Sequence, residues 1–496
     1  MLKKFFALFL ALLMICLALV GCANNDEESE TSDTVDTQDS GPSELDKVLA
    51  SFTDESYGCD FLILTSNHVN GVLDCIQAPE EINRGEIITE ALFERDALVN
   101  EKLGITVKYE LTGTDAYELY QAAEKSVTSG EHVYDAVLHD MMSVTKPLAT
   151  KDYLVAFNTL PNVDLSKPWW NQSAVTDLTI NGKLYFATGD ISPRYLLSPY
   201  IIQFNKRLVS EYKLENPYEL VESGDWTIEK LYTMIQNTAS QVVDDGVMDK
   251  QDFYGLVTDT TATYAFYRGC NMKIADVING VPAVDANTTR IDQVSSALAN
   301  YFGSVNQGGK NPNVYIRPNT DEENYEEFKI FNSGRAIFVG NTLTNLSMYS
   351  EMKDEYGILP MPKFDEDQSE YCSYAQPYGA VSIMVLKTNT ELERTGKVLE
   401  VMAAVSKYTS TPAAYEQTLK LKRSDDAESG KMIDLIFNSI TFDTGTIFRW
   451  ADVYNDLCNS IMTGGQYVNS LSPKILRINK QIELLLESDA YANTQE

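Results

Sequence analysis

Between residues 61 and 140 short apolar runs alternate with segments of helical pattern, and this alternation restricts the fold more than any other feature. Phe61 to Leu64 is a short apolar run, and Glu90 to Leu103 carries Leu92, Val99 and Leu103 on one side. That segment stops at Gly104, the residue type that most readily takes the left-handed backbone of a helix cap. Ile105 to Leu111 reads as a strand, and Asp115 to Ser129 as a helix closed by Gly130. A second apolar run, Ala136-Val137-Leu138, ends abruptly in His139-Asp140. A β-α-β-α-β order implies a parallel sheet with helices on its faces. In open sheets of this kind ligands sit outside the carboxyl ends of the strands, which is where His139 and Asp140 would stand. Met141-Met142-Ser143 then reads as a turn.

The second half repeats this grammar without repeating the residues. Thr176 to Ile180 and Lys183 to Ala187 flank Asn181-Gly182, the strongest short-range signal for a β-hairpin. Tyr200 to Phe204 and Tyr254 to Val257 read as strands, Trp226-Thr227 opens a helix to Asn237, and Ile291 to Phe302 reads as another helix. A chain of 496 residues, 44% of them hydrophobic, has ample material for a large core and a soft expectation of two or three domains.

The first residues set the expected compartment. Lys3 and Lys4 precede an apolar run from Phe5 to Val20, shorter than the roughly 20 residues of a bilayer span and asymmetric in charge like a secretory leader. Leu19-Val20-Gly21-Cys22 resembles the lipobox of bacterial lipoproteins, which implies cleavage after residue 21 and lipidation of Cys22. The segment that follows, to residue 56, is polar and acidic with few large apolar residues, so it is expected to be a disordered tether. Such a tether would reach on the order of 30 Å from the lipid surface.

Composition excludes several functions. A net charge of −33 argues against nucleic acid, because neutralising phosphates needs clustered Lys and Arg. His68, His132 and His139 form no metal-binding spacing, no G-x-S-x-G elbow occurs, and Gly303 to Lys310 misses the P-loop spacing by one residue. Asp244 to Asp252 is similar to the later part of a calcium loop, but Val243 stands where an oxygen ligand belongs, so no metal is expected. Outside the leader and Cys22 the cysteines are Cys59, Cys75, Cys270, Cys372 and Cys458, an odd set without C-x-x-C, which argues against a disulfide framework.

Several stretches together carry a family resemblance: the YDAVLHD strand, PWWN around Trp169-Trp170, NGKLYFATGDIS from Asn181, Phe204-Asn205-Lys206, Asp225-Trp226-Thr227, Phe331 to Ala336, YGILPMPKFD from Tyr356, and the helix from Lys387. In type and order they resemble the family 1 extracellular solute-binding proteins, the receptor subunits of ABC importers. The resemblance implies an α/β, two-lobed periplasmic-binding-protein-like (type II) fold with interleaved lobes and a hinge of crossing segments near Gly189, Ser373 and Lys420. Lobe 1 would comprise residues 57–188 and 373–420, and lobe 2 residues 189–372 and 421–496. It further implies a monomeric, lipid-anchored receptor on the extracellular face of the bacterial cytoplasmic membrane that presents a solute to a permease, without cofactor or covalent chemistry.

Sugars display apolar C–H faces rimmed by hydroxyls, so a sugar receptor needs aromatic platforms with planar polar groups beside them. The candidates are His139 and Asp140 at the strand end, Asp190 after the hairpin, Asn341 and Thr342 after the Ala336 to Val339 run, Tyr378, Arg449 and Trp450. Trp450 resembles the family's late cleft tryptophan. Structural roles compete for each: a hydrogen-bonded core histidine, a hinge pin at Asp190, caps at Asn341 and Thr342. Trp226 and the Trp169-Trp170 pair read as packing residues. Two rival functions stay open at this point, a surface carbohydrate-active enzyme and a peptide-binding or adhesion lipoprotein.

Overall fold

A computed structural model of the chain describes residues 42–68, 86–242, 244–284, 288–318, 325–421 and 427–492. The leader, the lipobox with Cys22, most of the tether and Cys75 lie outside the described residues. The chain divides into Met1–Ser43 and Glu44–Glu496, and the fold is that of the second unit.

Two mixed sheets organise it. The first contains β1 (Cys59–Ser66), β2 (Ile105–Thr112), β3 (Ala136–Asp140) and β12 (Val381–Met384) in the order β12-β3-β1-β2. β1 pairs parallel with β2 and β3, whereas β12 runs antiparallel to β3. β3 is buried at every residue, as its unbroken apolar run requires of a strand covered on both faces. β2 lies at the edge and alternates, with Ile105, Val107 and Tyr109 inward and Thr106, Lys108 and Glu110 outward. The connections are the helices Glu86–Leu103 and Ala116–Ser129. The second of these begins on the Asp115 carboxylate, which accepts from the Tyr117 amide, and ends on Gly130 at φ 73°.

The second sheet contains β4 (Tyr200–Asn205), β5 (Tyr254–Asp259), β8 (Val314–Arg317), β9 (Ala336–Thr342) and β10 (Tyr356–Leu359) in the order β10-β4-β9-β5-β8. β5 is parallel to β8 and β9, so Asp259, Arg317 and Thr342 end their strands along one edge. Smaller pairs are the hairpin of β6 (Asp276–Ile278) with β7 (Val281–Ala283), and β11 (Ser373–Tyr374) with β13 (Ile440–Thr441). The chain leaves the first sheet after β3, builds the second from β4 to β10, and returns to the first as β12.

The structure corrects three local expectations. Asn181 (φ 50°) and Gly182 (φ 73°) do form a two-residue turn, with Ile180 and Lys183 exchanging backbone hydrogen bonds of 3.1 and 2.9 Å. The first arm of the expected hairpin is instead the helix Gln172–Leu178, because the Asn171 side chain caps it by accepting from the Ala174 amide at 2.8 Å. Met141–Thr145 is a helical segment where a turn was expected. Its start is held by Asp140, whose carboxylate accepts from the Met142 and Ser143 amides at 2.9 and 2.6 Å. The expected tether also ends early: Glu44–Ser51 is a helix, and Leu45, Val48, Leu49 and Phe52 pack against the core of the first sheet.

That core contains a polar anchor. The Trp169 and Trp170 indole N–H groups donate to Glu400 Oε1 and Oε2, at 3.1 and 2.9 Å, so one buried carboxylate serves both. Burial pushes the Glu400 carboxyl up from its ordinary range. This anchor fastens the first segment leaving the sheet to the helix Leu392–Ser406.

Candidate ligand cleft

The segment from Tyr374 to Ala380 touches both sheets. Ala375 bridges to Pro199 beside β4, and the Met141 amide, just after β3, donates to the Pro377 carbonyl at 3.1 Å and the Ala380 carbonyl at 3.3 Å. A narrow cleft with about 10 Å3 of enclosed room lies on this segment, walled by Tyr374, Gln376, Pro377 and Tyr378. Met142 closes it from the first sheet, and Thr446, Arg449 and Tyr454 close it from the region after β13.

The wall tyrosines are held from beneath. Tyr264 packs edge-on to Tyr374 at 4.9 Å between ring centroids and against Tyr454 at 5.0 Å. Its hydroxyl donates to Asp443, whose carboxylate also accepts from the amides of Ile274 and Gly445 at 2.7 Å and of Ala275 at 3.3 Å. Burial raises the Asp443 carboxyl, and the Arg268 charge partly offsets this. Burial likewise pushes the Tyr374 and Tyr454 hydroxyls upward. Both therefore stay neutral hydrogen-bonding groups.

Of the residues singled out in the sequence, Tyr378 and Arg449 stand in this cleft. Tyr378 is 46% exposed. Arg449 is at φ 51°, its guanidinium lies over the Tyr454 ring at 4.9 Å, and its Nη2 donates to Asn455 Oδ1 at 2.9 Å. Trp450 requires a correction. It is buried and stacked flat on Phe448, with centroids 5.4 Å apart and planes 7° apart, and so belongs to the core rather than to an open platform.

The other candidates already have partners within the protein. His139 is fully buried, with Nε2 2.9 Å from Ser66 Oγ and Nδ1 2.7 Å from Asp140 Oδ2, so Asp140 serves the helix cap and the histidine at once. Asp190 accepts from the Thr411 hydroxyl at 2.8 Å and faces Lys407 at 3.5 Å; burial raises its carboxyl against that lysine. Asn341 Oδ1 accepts from the Thr342 amide and the Asn345 side chain at 2.7 and 2.6 Å, and Thr342 Oγ1 also accepts from Asn345. In the acidic loop, Asp252 accepts from the Val242 and Asp249 amides at 2.8 and 2.9 Å, so that carboxylate closes its own loop.

Sequence reasoning missed Met142, Tyr374, Gln376, Thr446 and Tyr454. Tyr374 adjoins the expected crossing at Ser373 and Tyr454 lies close to Trp450, so both were within reach of the right signal. It also missed a charged cluster at the strand ends of the second sheet. There Arg317 Nε lies 2.7 Å from Glu327 Oε2, Tyr200 donates to Asp259 at 3.2 Å, and Asn341 donates to Glu327 at 3.3 Å. Burial first, then the Asp259 charge, push the Glu327 carboxyl up to about 7, with Arg317 acting in the opposite sense.

No protein-family model matches the sequence, and no curated protein is similar to it. Solved structures are similar across nearly their whole length. A cyclo/maltodextrin-binding protein complexed with maltotetraose superposes with a TM-score of 0.56 at 14% identity, covering 87% of this chain and 98% of its own. The maltose-binding periplasmic protein MalE from Listeria monocytogenes in complex with maltose gives 0.54 at 12%, covering 89% of this chain and 100% of its own. An ABC substrate-binding protein from the same organism, in complex with cycloalternan, gives 0.53 at 12%, covering 86% and 99%. The chain has the two-lobed periplasmic-binding-protein fold of ABC solute-binding proteins. In a periplasmic-binding-protein fold, the Tyr374–Ala380 segment that touches both sheets is where a cleft between lobes belongs.

Proposed function

We propose that this chain is a solute-binding receptor of an ABC importer that takes a mono- or oligosaccharide between its lobes and hands it on unaltered. The observation that carries the reading is the cleft on the Tyr374–Ala380 segment, where tyrosines, a glutamine and an arginine face a space between the two sheets. Aromatic faces beside fixed planar donors suit sugar rings. In this reading lobe 1 is residues 57–188 and 373–420 and lobe 2 is residues 189–372 and 421–496; these bounds keep each of the two larger sheets within one lobe, while β11 of lobe 1 pairs with β13 of lobe 2. Tyr378, Arg449, Tyr374 and Tyr454 contact the ligand, and Asp190 pins the crossing to the helices bearing Lys407 and Thr411.

The enclosed room in the cleft is only about 10 Å3, far below the ~300–1,000 Å3 of small-molecule sites, so lobe opening by hinge rotation would have to admit the ligand before closure buried it. Cys22 is proposed as the lipid anchor that holds the receptor at the outer face of the bacterial cytoplasmic membrane, near its permease. Among the described residues no helix is long and apolar enough to cross a membrane.

A thermal-shift panel of sugars, amino acids and short peptides tests the reading, since a ligand that binds only the native state raises the melting temperature by mass action. Stabilisation by saccharides and recovery of the sugar intact are expected. Stabilisation by peptides alone, or conversion of the sugar to products, would overturn it.

A further inference from the structure

Arg449 reaches the cleft from an unusual piece of backbone. Arg449, Ala451 and Asp452 all have positive φ, at 51°, 48° and 55°, and none is glycine. Such backbone is strained for a residue with a side chain, and it persists where the surroundings hold it in place. Here the Ala451 amide donates to Gln481 Oε1 at 2.8 Å, and Trp450 is stacked on Phe448. The effect of the kink is to set a guanidinium in the cleft wall.

That guanidinium is poorly neutralised. The carboxylate paired with it, Asp452, lies 3.6 Å from Nε, is more than half exposed, and already accepts from the Asn455 side-chain Nδ2 at 2.8 and 3.0 Å. Lys146 adds a second positive charge, at the end of the Met141–Thr145 helical segment that packs against Thr444–Phe448. Burial first, and then the Arg449 charge, hold the Lys146 ammonium below its ordinary value, with Asp452 opposing. None of the described residues lining the cleft is a carboxylate. Asp443 beneath it has its donors, and Asp140 is used by a helix cap and His139. The whole chain carries −33, yet charges more than about 8 Å away are largely screened at physiological salt, and Arg449 is the one charged residue among the described residues lining the cleft.

We propose that the ligand is an anionic saccharide, with Arg449 receiving its carboxylate or sulfate. This rests on the receptor reading above and adds the charge class of the solute. The exposed Tyr378 ring stands in the same cleft wall as a platform for the sugar's apolar face, while the guanidinium offers a charge-assisted hydrogen bond to the acid group.

The test is calorimetric titration of the full-length chain with digalacturonate, N-acetylglucosamine 6-sulfate and maltose. At least one anionic sugar should bind about tenfold or more tighter than maltose, and raising the ionic strength should shrink the difference. Which of the two binds tells carboxylate from sulfate. Arg449→Gln should abolish the preference with the melting temperature of the free protein retained, and Arg449→Lys should keep part of it. Maltose binding as tightly as both anionic sugars, or an unchanged preference in Arg449→Gln, would overturn the inference while leaving a sugar receptor in place. Binding of none of the three would also overturn it, and the receptor reading would then be decided by the sugar and peptide panel.

Discussion

The guanidinium of Arg449 rests on the ring of Tyr454, 4.9 Å from its centroid, so the cation of the cleft is positioned by an aromatic wall that is itself packed on Tyr264. A desolvated cation–π contact contributes up to about 2 kcal/mol. Tyr454→Ala should therefore weaken binding of the sugar that most stabilises the protein by about 1–2 kcal/mol, and Tyr454→Phe should keep most of the affinity. Titration calorimetry of both variants checks this, and an unchanged Tyr454→Ala affinity would remove Tyr454 from the site.

Gly189 marks the crossing where no other residue fits. A Cβ there would stand 2.3 Å from the Trp169 carbonyl oxygen and 2.9 Å from the Trp170 Cα, both backbone atoms that cannot swing aside. Gly189→Ala should lower unfolding stability by about 2–3 kcal/mol, measured by urea denaturation. A loss within about 0.5 kcal/mol would mean that this crossing is looser than the antiparallel bridge between Trp170 and Gly189 indicates.

The alternation of strand and helix through Asp140 was legible because each signal was local: Asp115 caps, Gly130 terminates, and the run into β3 is apolar on both faces. The hairpin arm at Thr176 to Ile180 misled because its β-forming residues are overruled by one capping side chain, Asn171. Trp450 misled for a different reason. Its position in the sequence suited a platform, but the left-handed backbone at Arg449, Ala451 and Asp452 sends the arginine to the cleft and stacks the tryptophan inward. The cleft as a whole was not readable, since Met142, Tyr374 and Arg449 meet only through the packing of segments far apart in the chain. Family resemblance supplied the two-lobed fold; periodicity alone would have yielded only layers of strand and helix.

Glu400 gives a stability test far from the cleft. Replacing it with alanine leaves two buried indole N–H groups without their acceptor, and unsatisfied buried donors cost about 1–3 kcal/mol each. Glu400→Ala should lose about 2–4 kcal/mol of unfolding stability in urea, with a change in tryptophan emission. Glu400→Gln, which keeps one acceptor oxygen, should lose less.

Glu327 gives a pH test with a definite sign. Its carboxyl is raised to about 7 in the native state from an ordinary value of 4.5, so between those values the folded chain holds a proton that the unfolded chain has released. Stability must then fall as pH rises through that window, by up to on the order of 3 kcal/mol from this group alone. Glu327→Gln cannot release the proton and should flatten the slope between pH 4.5 and 7. Equal slopes in both proteins, from denaturation midpoints across that range, would contradict the assignment.

Equilibrium dialysis of the full-length chain against the radiolabelled sugar that most raises its melting temperature, with the sugar recovered and identified afterwards, decides whether the chain is a receptor. Saturation near one sugar per chain, loss of binding when Arg449 and Tyr454 are both replaced, and recovery of the sugar chemically unchanged are predicted. Steady conversion of the sugar to product, or saturable binding that ignores those two replacements, would contradict it.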